Sequence, residues 1–403
     1  MSRMRGNHMF VFLVTLALAL SAVSLRAATV TTHRTKHPLH PYRHTHHVTY
    51  SRRSRVHHAT AAYRHHVSRR VVQHRYYERF TADSFATTDL TAGDITAGED
   101  PVVRRAAIDA LGNMNGTVVV IDPANGRILA MVNQKLALST GAEPCSTIKI
   151  SVALAALEEG IVTKDTPVNL GGHYFVNMTE ALAHSNNLYF ETLGRRLGFA
   201  RVHYYATEFG LGELAGWHIA GEHLGEYPDH PLPESMGGVG RMCSFGESVS
   251  MTPLQLGALV SAIANGGTLY YLQHPTTPAQ VADFKPRIKR VLNIGPLIPE
   301  IQVGMHAVTQ YGTARSLRTS FNAFPVMGKT GTCSNGGTRF GWFASYADSP
   351  DGRIVTVVFL EGGRQTYGPE AAKLTGYFYR DLWTNNYFTA HRQAARTASG
   401  HGL

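Results

Sequence analysis

Apolar and polar positions are distributed very unevenly along the 403 residues of this chain. Residues 9–25 form an apolar run of 17 positions without a charge, whereas residues 33–79 contain few large aliphatic side chains. From residue 101 onward, apolar positions recur with the periods of strands and helices, between turns rich in Gly, Pro, Asn and Asp. The pattern predicts a globular domain over residues 101–388 and a flexible tail over residues 389–403.

Helices and strands are predicted to be grouped within the globular part. Residues 146–160 form the most distinctive helix, because it is apolar nearly all round, as expected in an interior, and ends at a glycine. Other predicted helices cover residues 101–111, 179–197, 201–209, 253–265, 299–310 and 369–383. Predicted strands cover residues 117–122, 127–133, 324–332, 339–347 and 353–360, with turn signals at 122–126 and 349–352. This grouping favours an α+β fold, an α/β sandwich in which helices flank an antiparallel sheet.

The N-terminus has the order of an export signal. Arg3 and Arg5 precede the apolar run, and small residues follow it. Because the run is also near the lower length limit of a membrane span, residues 1–28 are predicted to be a signal peptide or an N-terminal membrane anchor. An uncleaved anchor would leave eleven basic residues of segment 33–79 outside, against the positive-inside tendency, and cleavage stays open. We expect export, with anchoring in the membrane by this segment as the alternative.

The net charge of +10 belongs to the N-terminal part of the chain. Residues 1–79 carry fourteen Lys and Arg against the single acid Glu78, whereas the rest carries 24 basic and 27 acidic side chains. A nearly neutral globular part gives no support to a specific nucleic-acid-binding function.

Residues 29–100 are predicted to be a disordered, basic, His/Arg-rich segment. Eleven of the 22 histidines lie in residues 33–79, which cannot bury enough apolar surface to offset the entropy of ordering. We expect this segment to be attracted to a membrane surface or to anionic wall polymers, more strongly when its histidines are protonated. No acid or cysteine completes a metal site there, and we expect neither a metal nor another cofactor.

Three cysteines are too few for a disulfide-stabilised scaffold. Buried free thiols are the expected state of Cys145, Cys243 and Cys333, because unpaired cysteine is among the most buried residue types. The alternative is one disulfide with one thiol left over. Cys145 and Cys333 directly flank two of the motifs described next, which makes them the candidate pair.

Ser146 and Lys149 begin the buried helix three residues apart and therefore share one face. A lysine beside an apolar helix is costly to bury unless it has partners or loses its proton. A neutral lysine within hydrogen-bond distance of a serine is the base that a serine nucleophile needs. The alternative is a serine N-cap with a lysine that extends to solvent.

Two further motifs follow along the chain. Ser185 and Asn187 stand two apart and could both point into a cleft from a turn, although an ordinary polar helix connection would have the same sequence. The segment 329–332, Lys-Thr-Gly-Thr, lies on a predicted strand, where a glycine marks the close approach of a backbone or ligand. A cation and hydroxyls around that glycine could hold a carboxylate, and a bare strand could pair with an extended peptide. The alternative is a surface strand end.

The order of the three motifs resembles the catalytic set of penicillin-binding proteins and serine β-lactamases, Ser-x-x-Lys, Ser-x-Asn and Lys-Thr-Gly. Flanking stretches are similar to penicillin-binding transpeptidase domains, and the resemblance covers roughly residues 113–385. It implies a transpeptidase-like sandwich with an all-helical subdomain, and a peptidoglycan D,D-transpeptidase activity. The flanks that carry the resemblance are residues 116–122, 129–132, 143–144, 252–256, 264–267 and 311–314.

The resemblance implies a role for each motif residue. Ser146 would be acylated by a D-Ala-D-Ala stem peptide or a β-lactam, after Lys149 takes its proton. Ser185 would pass a proton to the leaving amine, and Asn187 would hold the substrate amide. In the third motif, which with Gly331 would bind the substrate, Lys329 would supply positive potential, and Thr330 and Thr332 would bind the substrate carboxylate. The backbone amides of Ser146 and Thr332 would form the oxyanion hole.

Three departures from the family pattern bear on substrate fit. Cys145 stands where the family commonly has glycine, and residues 244–248 replace a usual Gly-Gln-Gly stretch. Only 39 residues separate Ser146 from Ser185, which predicts a small helical subdomain. Residues 33–100 are too short and too polar for a further enzymatic module, so we expect a nearly bare transpeptidase domain with unknown protein partners.

Several alternative functions stay open at this point. A D,D-carboxypeptidase or a β-lactamase-like hydrolase would transfer the acyl group to water, but no glutamate has an asparagine four residues on, as a class A β-lactamase commonly has. The class D patterns Ser-x-Val and Tyr-Gly-Asn are replaced by Ser-Asn-Asn at 185–187 and Tyr-Gly-Thr at 311–313. A non-catalytic module that tethers wall partners is the alternative from another class.

Overall fold

The computed structural model describes residues 81–364 and 366–390, so the predictions for residues 1–28, 29–80 and 391–403 lie outside the described residues. Its strands are β1 Gly116–Asp122, β2 Arg127–Val132, β3 Val168–Asn169, β4 Phe175–Val176, β5 Thr268–Tyr270, β6 Ile288–Val291, β7 Val326–Asn335, β8 Thr338–Ser349 and β9 Gly352–Gly362. Five of them form one antiparallel sheet in the order β2-β1-β9-β8-β7, as the fold-class prediction expects.

The helices cover most of the remaining chain. They are α1 Pro101–Leu111, α2 Gln134–Ala137, α3 Lys149–Glu158, α4 Met178–Ala183, α5 Asn187–Leu197, α6 Phe199–Glu208, α7 Gly238–Phe245, α8 Pro253–Asn265, α9 Pro278–Ala282, α10 Ile298–Gln310 and α11 Gly368–Thr384. The helices α2, α7 and α9 and the short strands β3 to β6 were not predicted from the sequence. Among the described residues, no helix is both long enough and apolar enough to span a bilayer.

Helices cover both faces of the five-stranded sheet. On one face, Tyr379 of α11 hydrogen-bonds with Ser345 of β8 through the two hydroxyl groups, at 3.1 Å. On the other face, Gly257 of α8 packs directly on Ile121 of β1 and Val357 of β9. A side chain at Gly257 would collide with Ile121, so the glycine allows close helix–sheet contact. Successive residues of a strand point to opposite faces, which accounts for this three-layer arrangement.

The all-helical subdomain contains α3, α5, α6 and α7. Helix α3 is its centre, because every position from Lys149 to Leu157 is buried. The predicted single helix over residues 179–197 is wrong, because the chain leaves the helix between Ala183 and Asn187 and starts again as α5. Asn186 caps α5 by accepting a hydrogen bond from the Tyr189 amide at 3.0 Å.

Residues 81–100 differ from the expectation of disorder, because they are folded against β2 and α1. Arg104 of α1 bonds to Asp94 and Glu99 at 2.8 Å each, and both carboxylates are almost fully buried. Asp100 caps α1 by accepting from the Val102 and Val103 amides at 2.9 and 3.1 Å. Asp94 and Glu99 also accept hydrogen bonds from the Gln134 and Met131 amides, at 2.9 and 3.0 Å, which are distant in sequence, so the folded part begins before residue 101.

Candidate active site

Ser146 lies in a tight 3-10 turn, Cys145–Ile148, that runs directly into α3. Side chains three residues apart eclipse each other in a 3-10 turn, so Ser146 and Lys149 stack more closely than in an α-helix. Lys149 Nζ lies 2.6 Å from Ser146 Oγ. The serine itself is half-buried, which leaves the hydroxyl within reach of a ligand. The alternative of a capping serine with a solvent-exposed lysine does not describe this pair.

Lys149 is fully buried and surrounded by neutral oxygen atoms. Its Nζ lies 2.6 Å from Asn187 Oδ1, and 3.2 and 3.3 Å from Ser185 Oγ and the Ser185 carbonyl. Burial and the nearby charge of Lys329 hold the pKa of Lys149 well below its usual range. A lowered pKa makes the neutral form of the amine easier to reach, which is the property that a general base needs.

Ser185 reaches this amine because the chain makes a sharp turn between α4 and α5. Ser185 has a left-handed backbone with a φ of 54°, which is uncommon for a residue with a side chain. The turn places Ser185 Oγ between the two lysines, 3.2 Å from Lys149 Nζ and 2.9 Å from Lys329 Nζ. The helix break that the sequence prediction missed is therefore the feature that brings Ser185 and Asn187 to Lys149.

Lys329 extends from β7, an edge strand of the sheet, towards the same point. It is fully buried, and its Nζ also lies 3.0 Å from the Thr330 carbonyl. Burial lowers the pKa of Lys329 to about 7. We call the Cys145–Ile148 turn, which carries Ser146, the nucleophile turn. Gly331 faces the start of this turn, because a side chain there would lie 2.8 Å from the Pro144 carbonyl oxygen. The close backbone approach that the glycine predicts is therefore present.

The hydroxyl groups of the third motif have partners in the structure. Thr330 is buried and its hydroxyl lies 2.6 Å from that of Thr313, a residue to which the sequence analysis assigned no role. Thr332 accepts a hydrogen bond from the Gly368 amide at 2.9 Å. The Tyr-Gly-Thr stretch at 311–313 was the signal from which Thr313 could have been found. The structure therefore places two threonines beside Lys329 and pairs each with a group outside the motif.

Cys145 and Cys333 form a disulfide, with 5.5 Å between their Cα atoms and a sequence separation of 188. The expectation of free thiols is wrong for these two cysteines and correct for Cys243, which is free and buried. The pairing depends on tertiary structure, because it requires the nucleophile turn to lie beside the end of β7. In residues 81–364 and 366–390, no group of three or more His, Cys, Asp or Glu side chains is placed to hold a metal ion.

Comparison with known protein families identifies this arrangement. A model described as the penicillin binding protein transpeptidase domain matches residues 116–378. Stage V sporulation protein D of Bacillus subtilis is 29% identical over 315 residues, which cover 65% of this chain and 48% of that protein. The peptidoglycan D,D-transpeptidase MrdA of Acinetobacter baumannii is 26% identical over 393 residues, which cover 76% and 57%. The chain thus spans about half the length of these curated relatives.

Solved structures show the same fold. A peptidoglycan glycosyltransferase from Burkholderia ambifaria aligns with a TM-score of 0.60 at 20% identity, over 72% of this chain and 98% of that one. The D,D-transpeptidase domain of a peptidoglycan glycosyltransferase from Eggerthella lenta aligns with a TM-score of 0.57 at 20% identity, over 71% and 82%. At this level of identity the likeness concerns the fold.

Proposed function

Because the chain belongs to the penicillin-binding protein transpeptidase family, we propose that it is a peptidoglycan D,D-transpeptidase whose Ser146 is acylated by stem peptides and by β-lactams. One observation carries the proposal. The buried Lys149 amine, with its lowered pKa, lies 2.6 Å from Ser146 Oγ. A nucleophile and a neutral base at hydrogen-bond distance are what acyl transfer to serine requires.

Acylation would proceed through the Lys149 amine and the Ser185 hydroxyl. Ser146 donates its proton to the neutral Lys149 Nζ as Oγ attacks the carbonyl carbon of the D-Ala-D-Ala bond. The carbon–nitrogen bond then breaks, and the leaving D-Ala amine receives a proton from Ser185 Oγ. Lys149 replaces that proton, because its Nζ lies 3.2 Å from Ser185 Oγ. Asn187 Oδ1 holds Lys149 in place at 2.6 Å, in addition to its proposed contact with the substrate amide.

The oxyanion would be bound by the backbone amides of Ser146 and Thr332. The Thr330 carbonyl accepts from Lys329 Nζ at 3.0 Å, which indicates that this carbonyl points away from β8. Backbone groups two residues apart on a strand point to the same edge, so we expect the Thr332 amide to point that way too. Such amides stabilise the negative charge that develops on the carbonyl oxygen.

Lys329 would bind the terminal carboxylate of the stem peptide or the carboxylate of a β-lactam. A carboxylate placed beside a buried amine favours its charged form, so ligand binding would raise the pKa of Lys329 from about 7. Gly331 allows the strand to approach the substrate, and Thr332, which is exposed, is the hydroxyl best placed to contact the carboxylate. Thr330 would act through its bond with Thr313.

Transfer to an amine acceptor is the proposed fate of the acyl group. A D,D-carboxypeptidase or a β-lactamase-like hydrolase would need a group that activates water, and the sequence lacks the glutamate–asparagine pattern of class A β-lactamases. The substrates would be peptidoglycan stem peptides on the periplasmic or cell-wall side. Attraction of residues 33–79 to a membrane surface or to wall polymers stays a prediction.

A fluorescent penicillin tests the proposal on the purified chain. We expect stoichiometric labelling that survives denaturation and maps by mass spectrometry to the peptide containing Ser146. The Ser146→Ala variant should lose the label completely, whereas the Ser151→Ala variant, which alters a serine on the same helix that bonds to the Ile148 carbonyl, should keep it. Absence of labelling would favour a non-catalytic wall-tethering module, and release of the hydrolysed penicillin within seconds would favour a hydrolase.

A further inference from the structure

The Cys145–Cys333 disulfide joins the two segments from which the oxyanion hole would be built. Cys145 immediately precedes Ser146, and Cys333 immediately follows Thr332. The crosslink therefore lies one residue outside each of the two amides assigned to the oxyanion hole. No other residue pair in the described chain is covalently joined in this way.

Few hydrogen bonds hold these two segments together without the disulfide. Strand β7 is at the edge of the sheet, so only β8 pairs with it, and the segment around Ser146 approaches it at Gly331 through Pro144 and Thr147. The bond between the segment before Ser146 and the sheet runs from Trp342 Nε1 to the Glu143 carbonyl, at 3.0 Å. Gly331 and Pro144 touch by close packing, which resists approach but does not prevent separation. The disulfide prevents separation.

The backbone conformation of Cys145 is a second, independent indication that the disulfide constrains the segment before Ser146. Its φ of 52° is in the left-handed region, which glycine adopts freely and which a residue with a Cβ adopts at a cost. A residue keeps such a conformation only when its surroundings over-determine it. The bridge to Cys333 supplies that constraint, and the conformation of Cys145 in turn determines where the Ser146 amide points.

We propose that the Cys145–Cys333 disulfide is a positioning device for acyl transfer, which sets the spacing of the Ser146 and Thr332 amides around the substrate carbonyl oxygen. The inference rests on the proposed function. It assigns to Cys145 and Cys333 a role in the rate of the chemical step and not in substrate binding. Opening the bridge lets the nucleophile turn move relative to β7, and an error of about 1 Å in such a site can cost roughly 100-fold in rate.

The alternative is that the disulfide only stabilises the fold. Closing a loop of 188 residues restricts the unfolded chain, which raises the melting temperature whatever the role of the bridge. A purely stabilising bridge would leave the kinetics of the folded, reduced protein unchanged. The saturation kinetics of acylation therefore separate the two roles, whereas the melting temperature does not.

Reduction of the folded full-length protein tests the proposal, because the protein does not have to refold without its disulfide. A dithiol supplies two electrons and two protons, becomes a cyclic disulfide, and leaves Cys145 and Cys333 as thiols; excess reagent is then removed without air. We expect the maximal rate of acylation by a fluorescent penicillin to fall about 10- to 100-fold, with the saturation constant changed less than about threefold. Reoxidation should restore the rate, and Cys243→Ala protein should respond identically.

Two variants provide the matched comparison. Cys333→Ala should behave like the reduced protein and should not respond further to the dithiol. Cys145→Gly/Cys333→Ala should recover only part of the rate, because glycine adopts the left-handed backbone but does not restore the crosslink that sets the spacing of the two amides. Equal maximal rates in the oxidised and reduced wild type, with the open bridge verified by mass spectrometry, would overturn the proposal. Failure of the oxidised wild type to label at Ser146 would instead overturn the proposed function.

Discussion

Two buried charged clusters in this molecule are built in opposite ways. Near the start of the domain, Arg104 contacts two buried carboxylates, Asp94 and Glu99, at 2.8 Å each. In the candidate active site, Lys149 and Lys329 are both fully buried, and no described carboxylate lies within 4.0 Å of either amine. Their partners are hydroxyl, amide and carbonyl oxygens.

The two clusters respond differently to burial. Burial opposes the charge of Arg104, but hydrogen bonds and charge interactions with Asp94 and Glu99 raise its pKa. Burial lowers the pKa of Lys149 and Lys329, because neutral oxygens compensate too little of the charge. A compensated cluster stabilises the fold. An amine without a charged partner has a lowered pKa, so its neutral form, which can accept a proton, is easier to reach. The comparison indicates that the candidate active site gives up stability to keep two amines with lowered pKa.

The largest expected effect tests the uncompensated cluster. Lys149→Met keeps the volume and the apolar stem but removes the base, so we expect the rate of Ser146 acylation to fall by about 10²- to 10⁴-fold. The midpoint of urea unfolding should stay constant or rise, because the variant no longer buries an amine without a carboxylate partner. Lys135→Met, which removes an exposed amine from α2, is the control and should label like the wild type. A labelling rate within threefold of wild type in Lys149→Met would contradict the assignment of the base.

The compensated cluster around Arg104 should show the reverse, a loss of stability with little change in the acylation rate. Arg104→Met leaves Asp94 and Glu99 buried without the guanidinium, although Glu99 keeps its contact with His274 Nε2 at 3.0 Å, so we expect a loss of about 3–5 kcal/mol in the free energy of unfolding. The acylation rate of the fraction that stays folded should change less than threefold. The neighbouring exposed pair gives the control, because Arg105→Met disrupts only a surface contact with Asp109 and should cost less than about 0.5 kcal/mol. Similar losses in both variants would show that the buried cluster is not compensated as described.

The smallest expected effect is a pH dependence of stability. The pKa of Lys329 is about 7 in the folded protein and higher in the unfolded chain, so the unfolded chain holds more protons between these values. Stability should therefore rise with pH above 7, and this one group contributes up to about 1.4 kcal/mol per pH unit. Urea unfolding from pH 7 to 9 measures the slope. Lys329→Met should reduce the slope, whereas an unchanged slope would mean that Lys329 is protonated in the folded protein.

Local sequence patterns predicted much of the fold and the site. The apolar positions of α8 and α11, the turn signals beside β1 and β9, and the spacing of Ser146 and Lys149 each depend on residues a few positions apart. Such patterns reflect backbone preferences and burial periodicity, which are encoded locally. These features could be predicted because each is a property of a short stretch of chain. The order of the three motifs along the chain then indicated the family.

Tertiary structure decided the features that join distant residues. The left-handed turn at Ser185 interrupts a stretch whose composition favours a helix, because Ser185 reaches both buried lysines from that turn. The same holds for the bond between Thr313 and Thr330 and for the folded state of residues 81–100. Each of these contacts forms only after sheet and helices have packed, so local propensity does not contain it.

The nucleophile turn shows both contributions at one place. The sequence by itself determined that Ser146 and Lys149 share the start of a buried apolar helix, because both the spacing and the apolar pattern are local. The tertiary structure alone decided that Lys149 is surrounded by neutral oxygens and that Cys145 is joined to Cys333 across 188 residues. The physical reason is that pKa values and disulfide pairing depend on the distances between segments, which are set when the whole core packs.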